Sequence, residues 1–209
     1  MKKLLVEFIG TFFLTLTVAT AAVLGTGTPH AAFAIGAVLM VMIYAGGHVS
    51  GAHYNPAVSL AVYLRGRSSL QDLISYVGIQ LVAAVVAVFV AKALVPGQAV
   101  EPKVFPHVAP VLIAELLFTF ALAWVVLNTA TAKATSGNSN YGLAIGFTVL
   151  AGAITVGGIS LGAFNPAVST LLLVIGKLKV ADCWLHFLPQ VLGAVGAAYA
   201  FKTTHPEDR

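Results

Sequence analysis

The chain has 209 residues, 59% of them hydrophobic and only 9% charged, with a mean hydropathy of +0.95 and a formal net charge of +4. Soluble domains carry about 25% charged residues, so a water-soluble fold is excluded and the class is an all-α integral membrane protein. The 11 Lys and Arg residues scatter over loops and termini without forming a basic face, which argues against nucleic acid as a partner.

Met1-Lys2-Lys3 precedes an apolar run, and Ala19-Thr20-Ala21 resembles a signal-peptide cleavage site. Glu7 interrupts that run, and the segment has an internal counterpart that no cleavage machinery reads. Residues 4–24 are therefore expected to remain as a first span. Further spans are predicted at 31–50, 71–94, 110–131, 139–158 and 180–202, each long enough to cross roughly 30 Å of hydrocarbon. Breakers separate them: Gly25 to Pro29, Pro96-Gly97, Pro102, Pro106, and the polar run Thr135 to Asn140. Two apolar pieces remain, Asn55–Leu64 and Asn165–Ile175. Each makes about 15 Å of helix, half a membrane, so each is expected to be re-entrant and to line protein or water.

The chain repeats itself. Glu7 in EFIGTFFLTL and Glu115 in ELLFTFALAW are 108 residues apart, while Gln80 and Gln190 are 110 apart. GHVSGAHYNPAVS at 47–59 aligns with GGISLGAFNPAVS at 157–169. Each half, about 1–95 and 108–202, holds three spans and one half-helix. Three is odd, so the second half enters from the opposite side and the repeat is inverted. Counting loops alternately places Lys2, Lys3, Arg65, Arg67, Lys133, Lys202 and Arg209 on one side. Lys92, Lys103, Lys177 and Lys179 fall on the other, and this bias favours cytoplasmic termini.

Asn-Pro opens both half-helices: Asn55-Pro56-Ala57 and Asn165-Pro166-Ala167. Pro suits the first helical position and Asn the N-cap before it. Both N-termini should meet near the bilayer midplane, bringing two positive dipole ends together with two amide donors. That suits the oxygen of a neutral polar molecule and repels cations. Before each Asn the chain is expected to be extended, and the carbonyls of Gly51, Ala52, His53, Leu161, Gly162 and Ala163 could form a ladder of acceptors.

Other residues have plainer readings. Cys183 is a small apolar filler, since it has no cysteine partner and no neighbouring metal ligand. His48 and His53 lack a third ligand, so no metal is expected. Gly36, Gly78, Gly142, Gly146, Gly193 and Gly196 suit helix crossings. No nucleophile–base pair or phosphate loop is visible, so an enzyme is not expected, nor is a cofactor.

With these motifs the chain resembles the aquaporin, or major intrinsic protein, family over nearly its whole length. The resemblance rests on Glu7, GHVSGAHYNPAV, Glu115, the second Asn-Pro-Ala and Pro189-Gln190. It implies a right-handed bundle of six tilted helices with two half-helices, a pore in each protomer, and a homotetramer in the lipid membrane. It also implies passive flow of water or small uncharged solutes, with protons excluded. In the family the two carboxylates support the re-entrant loops, and support is the role implied for His48 and His53 as well.

The sequence departs from the family pattern at the outer filter. Members carry Arg after the second Asn-Pro-Ala, where this chain has Val168. The matching filter positions are Ile35, Ala153 and Gly162, again apolar and mostly small. The glycerol branch also carries Asp at the next position, where Ser169 stands. A wide, weakly selective filter is therefore expected, admitting water and also glycerol, urea or an undissociated metalloid acid such as arsenite. A strictly water-selective channel is the alternative. A secondary transporter would need a coupling site at the midplane, and a structural or adhesive protein would not need two polar breaks there. The short termini without targeting tags fit a bacterial inner membrane.

Overall fold

The computed structural model describes residues 1–208; Arg209, one of the bases counted above, lies outside the described residues. Eight α-helices appear among them: α1 (Lys2–Thr17), α2 (Ala31–Ser50), α3 (Pro56–Leu64), α4 (Leu70–Leu94), α5 (Val108–Val126), α6 (Tyr141–Ser160), α7 (Pro166–Ile175) and α8 (Trp184–Thr204). The first span of each half ends in a π-helical turn, Val18–Val23 after α1 and Leu127–Thr131 after α5. The predicted spans therefore hold to within a few residues, but hydropathy could not reveal those widened turns. Five spans are apolar enough to cross a membrane on composition alone. The sixth, α8, is long enough at 21 residues, about 31 Å. His186, Pro189, Gln190 and Lys202 dilute its apolar run.

Packing follows the repeat. α1 lies on α4 and α2, and their counterparts α5, α8 and α6 pack in the same way. Where the halves meet, α2 crosses α6 at Gly36 and Gly146, which are 110 residues apart. A Cβ on Gly36 would lie 2.8 Å from the Gly146 carbonyl, and one on Gly146 would lie 2.6 Å from the Gly36 carbonyl. The half-helices exchange partners: α3 packs most extensively on α8, and α7 on α4. Gly193 is a second tight crossing, where a Cβ would lie 2.7 Å from the Leu116 carbonyl. Gly142 meets Tyr44 and Gly196 meets Phe120, as crossing points should. Gly78 corrects the expectation, because nothing lies within 4 Å of the Cβ it would carry.

The face bearing the α5–α6 turn is closed by a buried cation. The Arg65 side chain, 1% exposed, pairs with Asp208 at 2.8 Å. It also donates to Thr131 Oγ1 (3.0 Å), to the Thr131 carbonyl (3.2 Å) and to the Asp208 carbonyl (2.8 Å). Its guanidinium lies over the Phe201 ring, 4.5 Å from the centroid. Asp208 also accepts from the Lys133 N–H at 2.7 Å and from Arg67 at 3.2 Å. The Lys133 N–H, then the Arg65 guanidinium, hold the Asp208 carboxyl at about 2, against the opposing push of burial.

Two outcomes are expected. Gly146→Val should lower the thermal unfolding midpoint of the detergent-solubilised protein, at a cost of about 1–3 kcal/mol for forcing a side chain into the crossing. Asp208→Asn should lower it too, by an amount that depends on pH. Because the carboxyl is depressed on folding, its contribution is full above the ordinary Asp value of about 4 and fades as pH falls through about 2. Midpoints measured across pH should show a constant gap between native and variant proteins from neutrality down to weak acid, closing in strong acid.

Candidate pore and its support

The site is built on two loops that do the same thing. In each, the helix before it ends in a left-handed residue, Gly51 (φ 87°) or Leu161 (φ 73°). Ala52 and Gly162 follow at φ 52° and 60°, then Tyr54 and Phe164 at 50° and 49°. The loops are therefore not the extended segments expected from the sequence. Left-handed non-glycine residues are strained by about 1–3 kcal/mol each, so something must over-determine these turns.

Glu7 and Glu115 do so. Glu7 Oε1 accepts from Ser50 Oγ (2.7 Å) and His53 N–H (2.9 Å); Oε2 accepts from Tyr54 N–H (2.8 Å) and Gln80 Nε2 (2.8 Å). Glu115 accepts from Ser160, Ala163, Phe164 and Gln190 in the same order, at 2.7, 3.0, 2.8 and 2.8 Å. Both glutamates are fully buried. An ionised carboxylate is acceptor-only, and four donors engage both of its oxygens. Neither glutamate lines the lumen described below. These carboxylates hold backbone and offer no route for a proton relay.

The serine and glutamine partners carry the network to the half-helices. Gln80 Nε2 also donates to Ser59 at 3.2 Å, and Gln190 Nε2 to Ser169 at 2.9 Å. In the first half His53 Nδ1 sits 3.0 Å from Ser59 Oγ, and Tyr76 OH donates to the Ser50 carbonyl at 2.7 Å. In the second half Ala163 replaces His53, and His186 replaces Tyr76. His186 Nδ1 lies 3.2 Å from Ser169 Oγ, so a ring from α8 fills the place that a loop ring fills in the first half. The sequence offered one clue to this partnership, the 110-residue offset between Tyr76 and His186. His48 corrects the expectation of loop support: it is exposed on α2, and no side-chain hydrogen bond ties it to the loop among the described residues. Two residues on, Ser50 supplies that tie.

The asparagines brace the two loops against each other. Asn55 Oδ1 caps its own helix through the Ala57 N–H (2.8 Å), and Asn165 Oδ1 does so through the Ala167 N–H (2.9 Å). Asn55 Nδ2 donates across to the Phe164 carbonyl and Asn165 Nδ2 to the Tyr54 carbonyl, both at 2.9 Å. An amide nitrogen carries two donors, so the second N–H of each has no partner among the described residues. Tyr54 itself is seated by two glycines, since a Cβ on Gly10 or Gly46 would collide with its ring or hydroxyl.

Both asparagines line a cavity of about 310 Å³. Ile35, Ala153, Gly162 and Val168 line it as well, as do Ala52, His53, Leu161 and Ala163. Much of the remaining lining is apolar, with Leu14, Val18, Leu39, Ile145 and Val149. Gly51 lies further along, in a second cavity of about 840 Å³ lined by Ser50, Arg67, Thr131 and Lys133. The two cavities share His53 and Val126, so the vestibule adjoins the lumen. Pro56, Ala57, Pro166 and Ala167 are buried behind the lumen and act through the backbone they shape.

The model of the family described as Major intrinsic protein matches residues 1–156 and 136–208. The chain belongs to the major intrinsic protein family. Among its relatives, Aquaporin NIP1-1 of Zea mays is 33% identical over 96% of this chain and 74% of its own length. Glycerol uptake facilitator protein-like 6 of Lactiplantibacillus plantarum is 32% identical over the full length of both. The X-ray structure of the aquaglyceroporin from Plasmodium falciparum shares the fold at a TM-score of 0.80 and 24% identity, covering 99% of this chain and 97% of that one. As a member of the major intrinsic protein family, the chain is a multi-pass membrane channel and not an enzyme.

Glu7→Gln or Glu115→Gln would turn an amide NH2 toward two of the four donors. Each donor left buried without an acceptor costs about 1–3 kcal/mol. Either variant should lose thermal stability in detergent and should lose water permeability in liposomes in step with it. A variant as stable as the native protein would show that the loops hold their shape without the carboxylate.

Proposed function

We propose that the chain is a passive channel for water and for small uncharged solutes larger than water, with glycerol, urea and undissociated metalloid acids as the solute class. The observation that carries this reading is the lining of the lumen near Asn55 and Asn165: Ile35, Ala153, Gly162 and Val168 bring no charge and no side-chain donor. A donor lost from a constriction removes about 0.5–1.5 kcal/mol of net hydrogen bonding, and the smaller side chains leave more room. Two asparagine side chains share the lumen with many apolar ones, a mixed lining that suits a solute bearing both hydroxyls and carbon. The name of the Lactiplantibacillus relative, a glycerol uptake facilitator, points the same way.

Coupled transport fits less well, because both intramembrane carboxylates are engaged by loop donors away from the lumen. We also infer one channel domain formed by the halves 1–95 and 108–202, and a homotetramer in a bacterial cell membrane with both termini cytoplasmic. Exposed apolar side chains such as Leu5, Ile9, Phe13, Ile154 and Leu188 suit lipid or a neighbouring protomer.

Swelling of liposomes in water, glycerol, urea and arsenite gradients tests the reading. Linear, non-saturating uptake of water and at least one larger solute is expected; rapid water flow alone would leave the strictly water-selective channel standing. Val168→Arg should cut glycerol and urea uptake by about tenfold, the effect of roughly 1.4 kcal/mol at the barrier, with water flow reduced less. Solute uptake unchanged by that variant would remove Val168 from the constriction.

A further inference from the structure

Both half-helices stop in the same way. α3 runs into Gly66 (φ 89°) and α7 into Gly176 (φ 95°). The following N–H then turns back, from Arg67 to the Val62 carbonyl (3.1 Å) and from Lys177 to the Leu172 carbonyl (2.8 Å). Glycine accepts the left-handed turn without strain, so the residue after it is placed by backbone. In both halves that residue is a base, and the two are 110 apart. Arg67 lines the vestibule, and Lys177 lines the lumen. A base at a helix C-terminus also interacts well with the helix dipole. That accounts for a cation at each position but not for what each cation faces.

The two differ in their partners. Arg67 meets the Asp208 carboxylate at 3.2 Å. Lys177 Nζ donates to a neutral group, the Glu101 carbonyl, at 3.0 Å. Among the described residues, the ion pairs within 4 Å all use Asp72 or Asp208, and none involves Lys177. Glu101 itself makes no ion pair with it within 4 Å, and a second base lies beside it: Lys103 donates its N–H to the Lys177 carbonyl (2.9 Å) and its Nζ to the Gly158 carbonyl (3.0 Å). Among the described residues no Asp, Glu or Arg lines the lumen, and Lys177 is its one lysine. Among the described residues the lumen wall thus carries one positive charge, at one end, with no ion-pair partner within 4 Å and a hydrogen bond to a loop carbonyl.

We propose that Lys177 is the residue that turns cations away, supplying at the mouth the positive charge that Val168 does not supply at the filter. A charge beside a low-dielectric passage focuses its field into the opening. Uncharged solutes pass it without a penalty, while cations meet it before they reach the asparagines. The proposal rests on the lumen being the solute path, and the two can fail separately.

Urea and guanidinium are close in size and shape and differ in charge. Their entry into liposomes, with water flow and proton leak read in parallel, separates a charge barrier from a size barrier. In the native channel, urea should enter and guanidinium should not. Lys177→Gln should keep water and urea flow within about twofold while guanidinium entry rises about tenfold, within the range of electrostatic focusing in clefts. Lys177→Arg should exclude guanidinium as the native protein does. Raising salt to about 1 M, where the screening length is about 3 Å, should let guanidinium into the native channel. Proton leak, followed with a trapped pH dye, should rise in Lys177→Gln and not in Lys177→Arg. A native channel that passes water but not urea would refute the wide filter, and the proton readout would then decide the role of Lys177. Guanidinium entry unchanged by Lys177→Gln in a urea-passing channel would overturn the proposal, as would an unchanged proton leak in a water-only one. Equal leaks in the Gln and Arg variants would overturn it as well.

Discussion

A carboxylate that accepts four hydrogen bonds inside a membrane protein is the contact on which the rest of the pore depends. Glu7 and Glu115 each gather one serine, two loop N–H groups and one glutamine. Without them, three left-handed residues in each loop would have little reason to keep that conformation, and Ala52, Tyr54, Leu161 and Phe164 are not even glycines. The strain is local and the compensation comes from a different span. This is why a charge is tolerated in α1 and in α5, where an unpaired carboxylate would be costly. The loop N–H groups of His53, Tyr54, Ala163 and Phe164 are thereby turned toward the glutamates.

The inverted repeat makes this support symmetrical, but the chemistry on each side is not. Ring, serine and glutamine recur in both halves, yet the ring comes from the loop in one and from α8 in the other. The same applies to the bases after the half-helices, one paired with Asp208 and one bonded to a backbone carbonyl. Symmetry fixes where a side chain sits. Its neighbours, drawn from connectors that do not repeat, decide what it can do.

What could be read from the sequence follows the same division. Helix lengths, the two Asn-Pro caps and the pairing of Glu7 with Glu115 were legible because length, breaker chemistry and spacing carry them locally. Val168 stood out because one position of a repeated motif departs from the family pattern. Arg65 counted only as one of the loop bases, and only the fold brings it to Asp208, 143 residues away. His186 had no local partner, since its contact is made across α7 and α8. Gly78 and His48 show the converse: a small residue or a histidine at a suitable spacing says nothing of whether a neighbour is there to meet it.

The crossed bonds from Asn55 to the Phe164 carbonyl and from Asn165 to the Tyr54 carbonyl bear on how the pore comes into being. Neither half can complete its own centre. The first half-helix is made 110 residues before its partner, and at about 5–20 residues per second of synthesis that interval is roughly 5 to 20 seconds. Throughout it Asn55 sits in the membrane with its cross-brace acceptor not yet translated. The first three spans must therefore wait in a partly open arrangement, and the passage closes only when the last third of the polypeptide has been inserted.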